Sequence, residues 1–256
     1  MVPQYKKVKT AGNVFTIVET IEALGQTTCS KLADEVDLSV SSVYNYLRTL
    51  EDEGYVVETD GEYRLSLRFL QKGRAVRNSF PIMHAAVEPL DVLAKAIDEY
   101  LSVFVQERGR AVMIHEVNSH HSVQVPAPFL GEPFQLTKTP QGRTILAHMP
   151  DSFQREVISE AGLDEQAAER EYRKLERIRD EKIDVDEGQA HENIWAVAAP
   201  VVVEDELYGS IMISTVRHRL DEQRARHELP ALLRQTVREV EHRLSRYDFD
   251  NLYSPW

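Results

Sequence analysis

Two short amphipathic segments joined by a tight turn constrain the fold of this chain more than any other feature of its sequence. Residues 30–36 and residues 40–53 carry apolar side chains at helical spacing, and only Asp37 and Leu38 lie between the first segment and Ser39, the expected N-cap of the second. Residues 14–24 repeat the same spacing upstream. Two short helices joined by a tight turn, with a third helix to pack on, indicate a helix-turn-helix.

The outward side of the helix predicted over residues 40–53 offers hydrogen-bonding side chains. At about 100° per residue, the inward side holds Val40, Val43, Leu47 and Leu50, and the outward side holds Ser41, Tyr44, Asn45 and Arg48. Asn suits adenine, Arg suits guanine or phosphate, and hydroxyls suit phosphate oxygens. The alternative is a merely solvated face, which usually carries Glu and Lys. Because the stretch from Ser39 to Leu50 carries neither, we favour a helix that reads DNA.

An Asp-Gly pair follows this helix between two runs of strand-forming residues. Asp60 and Gly61 separate residues 55–59 from residues 62–66, a pattern typical of a hairpin with a type I′ turn. A hairpin directly after the reading helix is a wing. Arg64 on its second strand lies within reach of the phosphate backbone, whereas the acidic turn argues against insertion of the wing tip into a groove.

The remainder of the chain alternates strands in hairpins with helices. Strands are predicted at residues 101–106, 111–117, 122–125, 194–203 and 207–216, and helices at residues 81–97, 152–160, 166–182 and 221–246. Strands in hairpins with helices before, between and after them indicate an α+β domain with a mostly antiparallel sheet.

The acidic composition argues at first against binding to nucleic acid. The chain has 30 Lys+Arg against 42 Asp+Glu, for a formal net charge of -12, and phosphate repels an acidic protein. Residues 1–75, however, hold only nine basic and eleven acidic residues, so most of the excess lies further along the chain. The N-terminal segment is near neutral and stays compatible with DNA binding.

Several catalytic and metal-binding functions lack their motifs. The sequence has no GxSxG, no GxxxxGK[ST] and no GxGxxG. His115 is followed by Glu116, but the next histidine is His120, one position too far for HExxH. Because the adjacent His120 and His121 would point to opposite faces of a strand, we predict no metal site, no cofactor and no enzymatic activity.

The single cysteine and the hydropathy indicate a cytoplasmic protein. Cys29 cannot form an intramolecular disulfide. It lies near a predicted helix start, which could lower the pKa of its thiol, but we favour the role of a small residue beside the core. No apolar run approaches the ~18 residues that a membrane helix needs.

At this point the sequence resembles a known family. The run LADEVDLSVSSVYNYLRTLEDEGYVVETDGEYRLSLRFLQKG resembles the winged helix-turn-helix of the IclR family of bacterial and archaeal transcriptional regulators. The runs GEPFQLTKTPQGRTILAHMP and IDVDEGQAHENIWAVAAPVVVEDELYGSIMIS resemble its GAF-like effector-binding domain. The resemblance implies a winged helix-turn-helix DNA-binding domain at residues 11–66, a helical linker at residues 67–80, and an effector-binding and oligomerisation domain at residues 81–250.

The resemblance also implies the site residues. DNA contacts are expected from Ser41, Ser42, Tyr44, Asn45, Arg48 and Arg64, and effector contacts from Gly142, Arg143, Asp186, Ala196, Met212 and Ser214. Arg143 suits a carboxylate through paired hydrogen bonds, and a surface ion pair at the helix N-terminus is the alternative. The family often has cysteine at Ala196 and serine at Met212, so we expect a less polar pocket floor here.

The function implied is a sequence-specific, DNA-binding transcriptional regulator controlled by a small effector. We expect a homodimer or homotetramer on a pseudo-palindromic double-stranded operator, with a sugar acid or organic acid from carbon-source metabolism as effector. The alternatives are an enzyme acting on a small organic or sugar acid, with an appended winged helix, and a protein-interaction module. The acid-rich, lysine-poor composition resembles salt-loving archaea, with an ordinary acidic mesophile as the alternative.

Overall fold

The computed structural model describes residues 8–118 and 129–246 of the chain. Contacts divide the chain into two units, Met1–Val76 and Arg77–Trp256, and each is described by itself. The strand predicted at residues 122–125 lies outside the described residues.

The first unit combines three helices with a small antiparallel sheet. Its elements are α1 (Lys9–Leu24), β1 (Thr27–Thr28), α2 (Cys29–Val36), α3 (Val40–Asp52), β2 (Val56–Thr59) and β3 (Glu62–Leu65). The strands lie in the order β1-β3-β2. The helix α4 (Arg68–Asn78) follows, and none of its residues is buried.

Polar caps and a left-handed turn fix α2 and α3. Thr28 Oγ1 accepts the N–H of Lys31 at 3.4 Å, and Ser39 Oγ accepts the N–H of Ser42 at 3.2 Å. Between the two helices, Asp37 has a φ of 52°, in a region that Asp enters more readily than most residues. The tight turn predicted from the sequence is confirmed.

The wing has the turn that its sequence predicts. Asp60 and Gly61 have φ values of 53° and 82°, and a type I′ turn requires positive φ at both positions. Glu58 Oε1 accepts the N–H of Gly61 at 2.6 Å, which ties the turn to β2.

The core of the first unit lies between its helices. Its largest fully buried side chains are Ile17, Ile21, Leu32 and Leu47. Val40, predicted to lie on the inward side, is not buried and is 50% exposed. Helical spacing gives the direction of a side chain but not how far the neighbours extend along the helix, and Val40 is the first residue of α3.

A six-stranded sheet with helices on both faces forms the second unit. Its strands are β4 (Tyr100–Glu107), β5 (Arg110–Val117), β6 (Pro133–Gln135), β7 (Asp184–Asp186), β8 (Ile194–Val203) and β9 (Glu206–Val216). Their order is β6-β5-β4-β9-β8-β7, and each neighbouring pair is antiparallel. The predicted α+β fold is confirmed.

Two helical layers pack against this sheet. One layer consists of α5 (Pro81–Ile97) and α9 (Leu229–Leu244), and the other of α6 (Pro140–Ala147), α7 (Asp151–Glu160) and α8 (Glu165–Glu181). A hydrophobic core lies on each face of the sheet, and alternate residues of β8 are buried in each of them. Trp195 and Val197 face α5 and α9, whereas Ala196 and Ala198 face α6 and α8. Burial on both faces explains why β8 and β9 have near-continuous apolar sequences.

The C-terminal segment differs from the single helix predicted over residues 221–246. A 3-10 turn at Arg217–Arg219 and a π-helical turn at Arg224–Glu228 precede α9. Pro230 lies in the first turn of α9 and has no N–H to donate to the carbonyl of Arg226. Because this hydrogen bond is absent, the backbone can form the wider π-helical turn just before α9.

Candidate functional site

The outward face of α3 brings together four of the predicted DNA-contacting residues. The exposed residues on this face are Ser41, Tyr44, Asn45 and Arg48. Ser42 is only half-exposed, and its hydroxyl lies 2.8 Å from that of Ser39. Ser42 therefore helps to cap the start of α3.

Arg48 is held by an acidic neighbour one turn along the helix. Its Nη1 lies 2.7 Å from Glu51 Oε2, and the two side chains are 51% and 29% exposed. An exposed ion pair of this kind contributes about 0–1 kcal/mol. The guanidinium can therefore exchange Glu51 for a group on DNA at little cost.

Arg64 lies on a different element from the other predicted DNA contacts. It is exposed on β3, and its Nη1 donates to the carbonyl of Leu65 at 3.3 Å. The candidate DNA surface of the first unit thus comprises the outward face of α3 and the second strand of the wing.

Cys29 is a packing residue in the first unit. Its Sγ lies 3.6 Å from the carbonyl oxygen of Val40, and burial raises the pKa of its thiol. This direction is opposite to the one that a helix start would give. A neutral thiol is a poor nucleophile, and Cys29 packs against the core, which is the role that the sequence favoured.

One row of the second sheet carries three of the predicted effector residues. The strand register pairs Asp186 with Ala196, Ala196 with Ser214, and Ser214 with Tyr100. Directly opposed residues share one face of a sheet. These four side chains therefore form a row across β7, β8, β9 and β4, on the face that α6 covers.

A cavity of about 60 Å³ is lined by this row. Four predicted residues line it, namely Asp186, Ala196, Met212 and Ser214, whereas Gly142 and Arg143 do not. The volume admits a few water molecules or part of a compact ligand.

The prediction from sequence missed most of the remaining cavity wall. The missed residues include Tyr100, Phe134, Thr139, Pro140, Gln141 and His191. Thr139 followed by Pro140 is a recognisable helix start, since threonine is a good N-cap and proline suits the first helical position. Tyr100 and Phe134 carry no comparable local signal, because only the strand register brings them to the cavity.

Asp186 shapes the loop that closes the cavity. Its Oδ1 accepts the backbone N–H groups of Gly188 at 3.0 Å, Gln189 at 2.7 Å and Ala190 at 3.2 Å. Its Oδ2 lies 3.5 Å from Arg143 Nη2, and the residue is 2% exposed. The carboxylate is thus fully engaged in holding the loop.

Arg143 forms a buried ion-pair cluster behind the cavity. Its Nε lies 2.6 Å from Asp184 Oδ2, and only 3% of the residue is exposed. Arg177 Nη2 approaches the other oxygen of Asp184 at 3.6 Å. Of the two roles considered for Arg143, the geometry is that of the ion pair, and this pair lies in the interior. Arg143 neutralises two buried carboxylates, those of Asp184 and Asp186.

Gly142 allows α6 to approach the preceding backbone. A Cβ at this position would lie 2.7 Å from the carbonyl oxygen of Leu136 and 2.8 Å from its Cα. The N–H of Gly142 donates to Thr139 Oγ1 at 3.3 Å. Any larger residue would push the start of α6 away from this segment.

Tyr100 presents a neutral phenol at the edge of the cavity. Its hydroxyl donates to Glu116 Oε2 at 2.5 Å. Burial and this neighbouring carboxylate raise the pKa of Tyr100. The phenol is therefore not a source of negative charge for the cavity.

The described residues provide no metal-binding cluster. His120 and His121 lie outside them, and within residues 8–118 and 129–246 no three His, Cys, Asp or Glu side chains are placed to hold a metal ion. In the same part of the chain, no helix combines the length and hydropathy of a membrane span.

Family models match both units. A model of the IclR helix-turn-helix domain matches residues 10–60. A model described as bacterial transcriptional regulator IclR C-terminal matches residues 74–242, which is more than half of the chain. The chain belongs to the IclR family of transcriptional regulators. It is a DNA-binding regulator with an effector-binding C-terminal domain, and the alternative of an enzyme is not favoured.

Relatives of this IclR-family chain align over nearly its whole length. "Probable HTH-type transcriptional regulator ArcR" of Halobacterium salinarum is 24% identical, over 93% of this chain and 95% of the relative. HTH-type transcriptional regulator KdgR of Dickeya chrysanthemi is 22% identical, over 95% of this chain and 83% of the relative. The crystal structure of an IclR homolog from Microbacterium hydrocarbonoxydans, complexed with 4-hydroxybenzoate, has a TM-score of 0.77 at 16% identity. The alignment covers 92% of this chain and 98% of the Microbacterium chain, and the two share the same fold.

Proposed function

We propose that the protein presents pairs of α3 helices to a pseudo-palindromic operator as a homodimer or homotetramer. The outward face of α3 carries this proposal, because it combines Asn45 and Arg48, which suit base edges, with the hydroxyls of Ser41 and Tyr44. Two protomers would then address half-sites about 34–36 Å apart, or multiples of that distance. Ser42 positions the start of α3, and Arg64 contacts the phosphate backbone.

The chain is accordingly divided into three parts. Residues 11–66 read DNA, residues 67–80 connect, and residues 81–250 bind the effector and oligomerise. We propose that effector binding shifts the populations of DNA-competent and DNA-incompetent arrangements, which requires the effector to bind one arrangement more tightly. Control of genes for carbon-source use in the cytoplasm is the role that we propose for this switch.

Substitutions on α3 test the DNA-binding part. An operator is first selected with the wild-type protein from a random duplex library, and its affinity is then measured by fluorescence anisotropy. Asn45→Ala and Arg48→Ala should each weaken operator binding by about tenfold or more. Thr49→Ala is the matched control on the same helix, because the Thr49 hydroxyl is already bonded to the carbonyl of Asn45 at 2.9 Å. Equal affinities for all four proteins would refute the assignment.

We propose a small organic acid or sugar acid as the effector, bound in the cavity beside the start of α6. Thr139 accepts the N–H of Gly142 through its hydroxyl and the N–H of Arg143 through its carbonyl, and Pro140 has no N–H. The N–H of Gln141 therefore remains for the ligand carboxylate, which the positive end of a helix favours. Arg143 supports this site from behind and does not bind the carboxylate.

A cavity-filling variant tests the effector site. Ala196→Leu adds bulk at the cavity floor and should abolish the rise in melting temperature that carboxylates produce in the wild-type protein. Ala161→Leu, an exposed position after α7, is the control for the same substitution. A thermal-shift series from acetate to gluconate, with 4-hydroxybenzoate included, provides the probes. Retention of the same shifts in Ala196→Leu would contradict the site.

A further inference from the structure

The side-chain oxygen of Gln141 is a buried polar atom beside the cavity that lacks a hydrogen-bond partner among the described residues. Gln141 lines the cavity at the second position of α6 and is 3% exposed. Buried polar atoms are nearly always hydrogen-bonded, so each exception requires an explanation.

Three of the other polar side chains around the cavity, which also include Ser214 and His191, have partners in the protein. The Tyr100 hydroxyl donates to Glu116 at 2.5 Å, and Thr139 Oγ1 accepts the N–H of Gly142 at 3.3 Å. Asp186 accepts three backbone N–H groups. The amide of Gln141 therefore differs from these three groups, because it retains unused hydrogen-bonding capacity inside the cavity.

The apolar part of the wall gives this amide a role in selectivity. Phe134, Ala196 and Met212 line the cavity and provide no strong hydrogen-bonding side-chain atom. A polar substituent on a bound ligand is therefore disfavoured against these residues and favoured near Gln141. The small volume of about 60 Å³ requires that such a ligand be compact.

We propose that Gln141 selects compact carboxylic acids that carry a hydroxyl group. A hydroxyl both donates and accepts, so it satisfies the amide whichever way the amide oxygen and nitrogen are oriented. An acid without the hydroxyl leaves the amide unsatisfied, and sites built around such a hydrogen bond discriminate strongly against the analogue that lacks it. This inference rests on the proposed effector function and adds the class of acid and the residue that recognises it.

Calorimetric titration of the full chain with matched acids tests the inference. The pairs are propionate with lactate and butyrate with 3-hydroxybutyrate, which differ only in one hydroxyl. In the wild-type protein the hydroxy acid of at least one pair should bind about tenfold tighter or better. Gln141→Leu should bring that ratio to about one, whereas Gln166→Leu, at an exposed position of α8, should leave it unchanged.

A ligand-free measurement provides an independent readout. Leucine resembles glutamine in size and removes the unpartnered polar atom, so Gln141→Leu should melt at the same temperature as the wild-type protein or higher. A clearly lower melting temperature would overturn the inference, because it would mean that the amide is satisfied within the protein.

The titration separates this inference from the proposed function. If the acids bind without preference for the hydroxyl, or if the preference survives in Gln141→Leu, the role of Gln141 is refuted and the carboxylic-acid effector stands. If none of the four acids binds the wild-type protein but another acid of the thermal-shift series does, the inference is refuted and the carboxylic-acid effector stands; if no acid of that series binds, both are refuted.

Discussion

The ion pair between Arg48 and Glu51 predicts that removing an acid from α3 strengthens DNA binding. Arg48 must leave Glu51 before it contacts a base or a phosphate. Since the two side chains are 51% and 29% exposed at a separation of 2.7 Å, the cost of separating them is at most about 1 kcal/mol. Glu51→Gln should therefore raise operator affinity by roughly two- to fivefold.

A double-mutant cycle isolates this effect from a general loss of negative charge. The affinities of wild type, Glu51→Gln, Arg48→Ala and the double variant are measured by anisotropy at a single salt concentration. The gain from Glu51→Gln should vanish when Arg48 is absent, because the competition then no longer exists. Glu53→Gln, an exposed acid two residues along, removes the same charge and reports its general contribution.

Two results would refute this reasoning. If Glu51→Gln improves binding equally with and without Arg48, the ion pair does not compete with DNA. If Glu53→Gln gives the same gain as Glu51→Gln, the effect is one of overall charge and not of the contact between Arg48 and Glu51.

Three further predictions concern the stability of the second unit, measured by denaturant unfolding with the fluorescence of buried Trp195 as the reporter. Asp186→Ala should cost about 3–5 kcal/mol, because three backbone N–H groups lose their acceptor and Arg143 keeps only Asp184 as its partner. Asp186→Asn keeps an acceptor oxygen and should cost about 1–3 kcal/mol. Equal losses would contradict the loop-holding role. Ser210→Ala should destabilise the protein by about 1 kcal/mol, because the Ser210 hydroxyl forms a hydrogen bond with that of Thr144 at 2.8 Å. Ser102→Ala should be neutral or stabilising, because the buried Ser102 Oγ has no partner among the described residues. The reverse order of stabilities would count against both assignments. Burial lowers the pKa of His148; the nearby Arg179 and Lys182 act in the same direction, and a hydrogen bond to Thr144 opposes them. The neutral ring therefore contributes stability above the unfolded pKa of about 6.5, and this stability is lost as the pH falls below that value. His148→Gln should reduce this loss, and a pH profile of stability unchanged by the substitution would refute the prediction.

The DNA-binding unit was predictable because its signals are local. The caps Thr28 and Ser39, the two-residue turn and the Asp-Gly hairpin each specify backbone geometry within a few residues. The exposure of Val40 was not predictable, since it depends on where the packed neighbours end. Local chemistry thus specifies the elements, and the extent of their burial depends on the tertiary structure.

The effector cavity was predictable only in part, because the strand register assembles it. Ala196, Ser214 and Asp186 were expected at the site from the family resemblance. Ala196 and Ser214 lie on neighbouring strands with strong sequence signals, whereas β7 holds two aspartates in three residues and lacks any apolar pattern. Asp184 and Asp186 are tolerated there because Arg143, distant in sequence, neutralises both carboxylates. A buried charge is tolerated only when it is paired, and the sequence does not show which residues pair. Sequence alone could therefore not distinguish a ligand-binding arginine from a supporting one.

The distribution of charge determines how an acidic chain of this kind discriminates among DNA sequences. Between Ser39 and Leu50, α3 carries one cation, Arg48, and Glu51 lies against it. Non-specific affinity grows with the number of phosphates that cations neutralise, so few cations on the reading surface mean weak attraction to random DNA. The contacts to base edges that we propose for Asn45 and Arg48 would not depend on that attraction to the same extent. The ratio of specific to non-specific affinity decides occupancy among competing genomic sites. We therefore expect the acidic composition, which first argued against DNA binding, to keep this ratio high by lowering non-specific affinity.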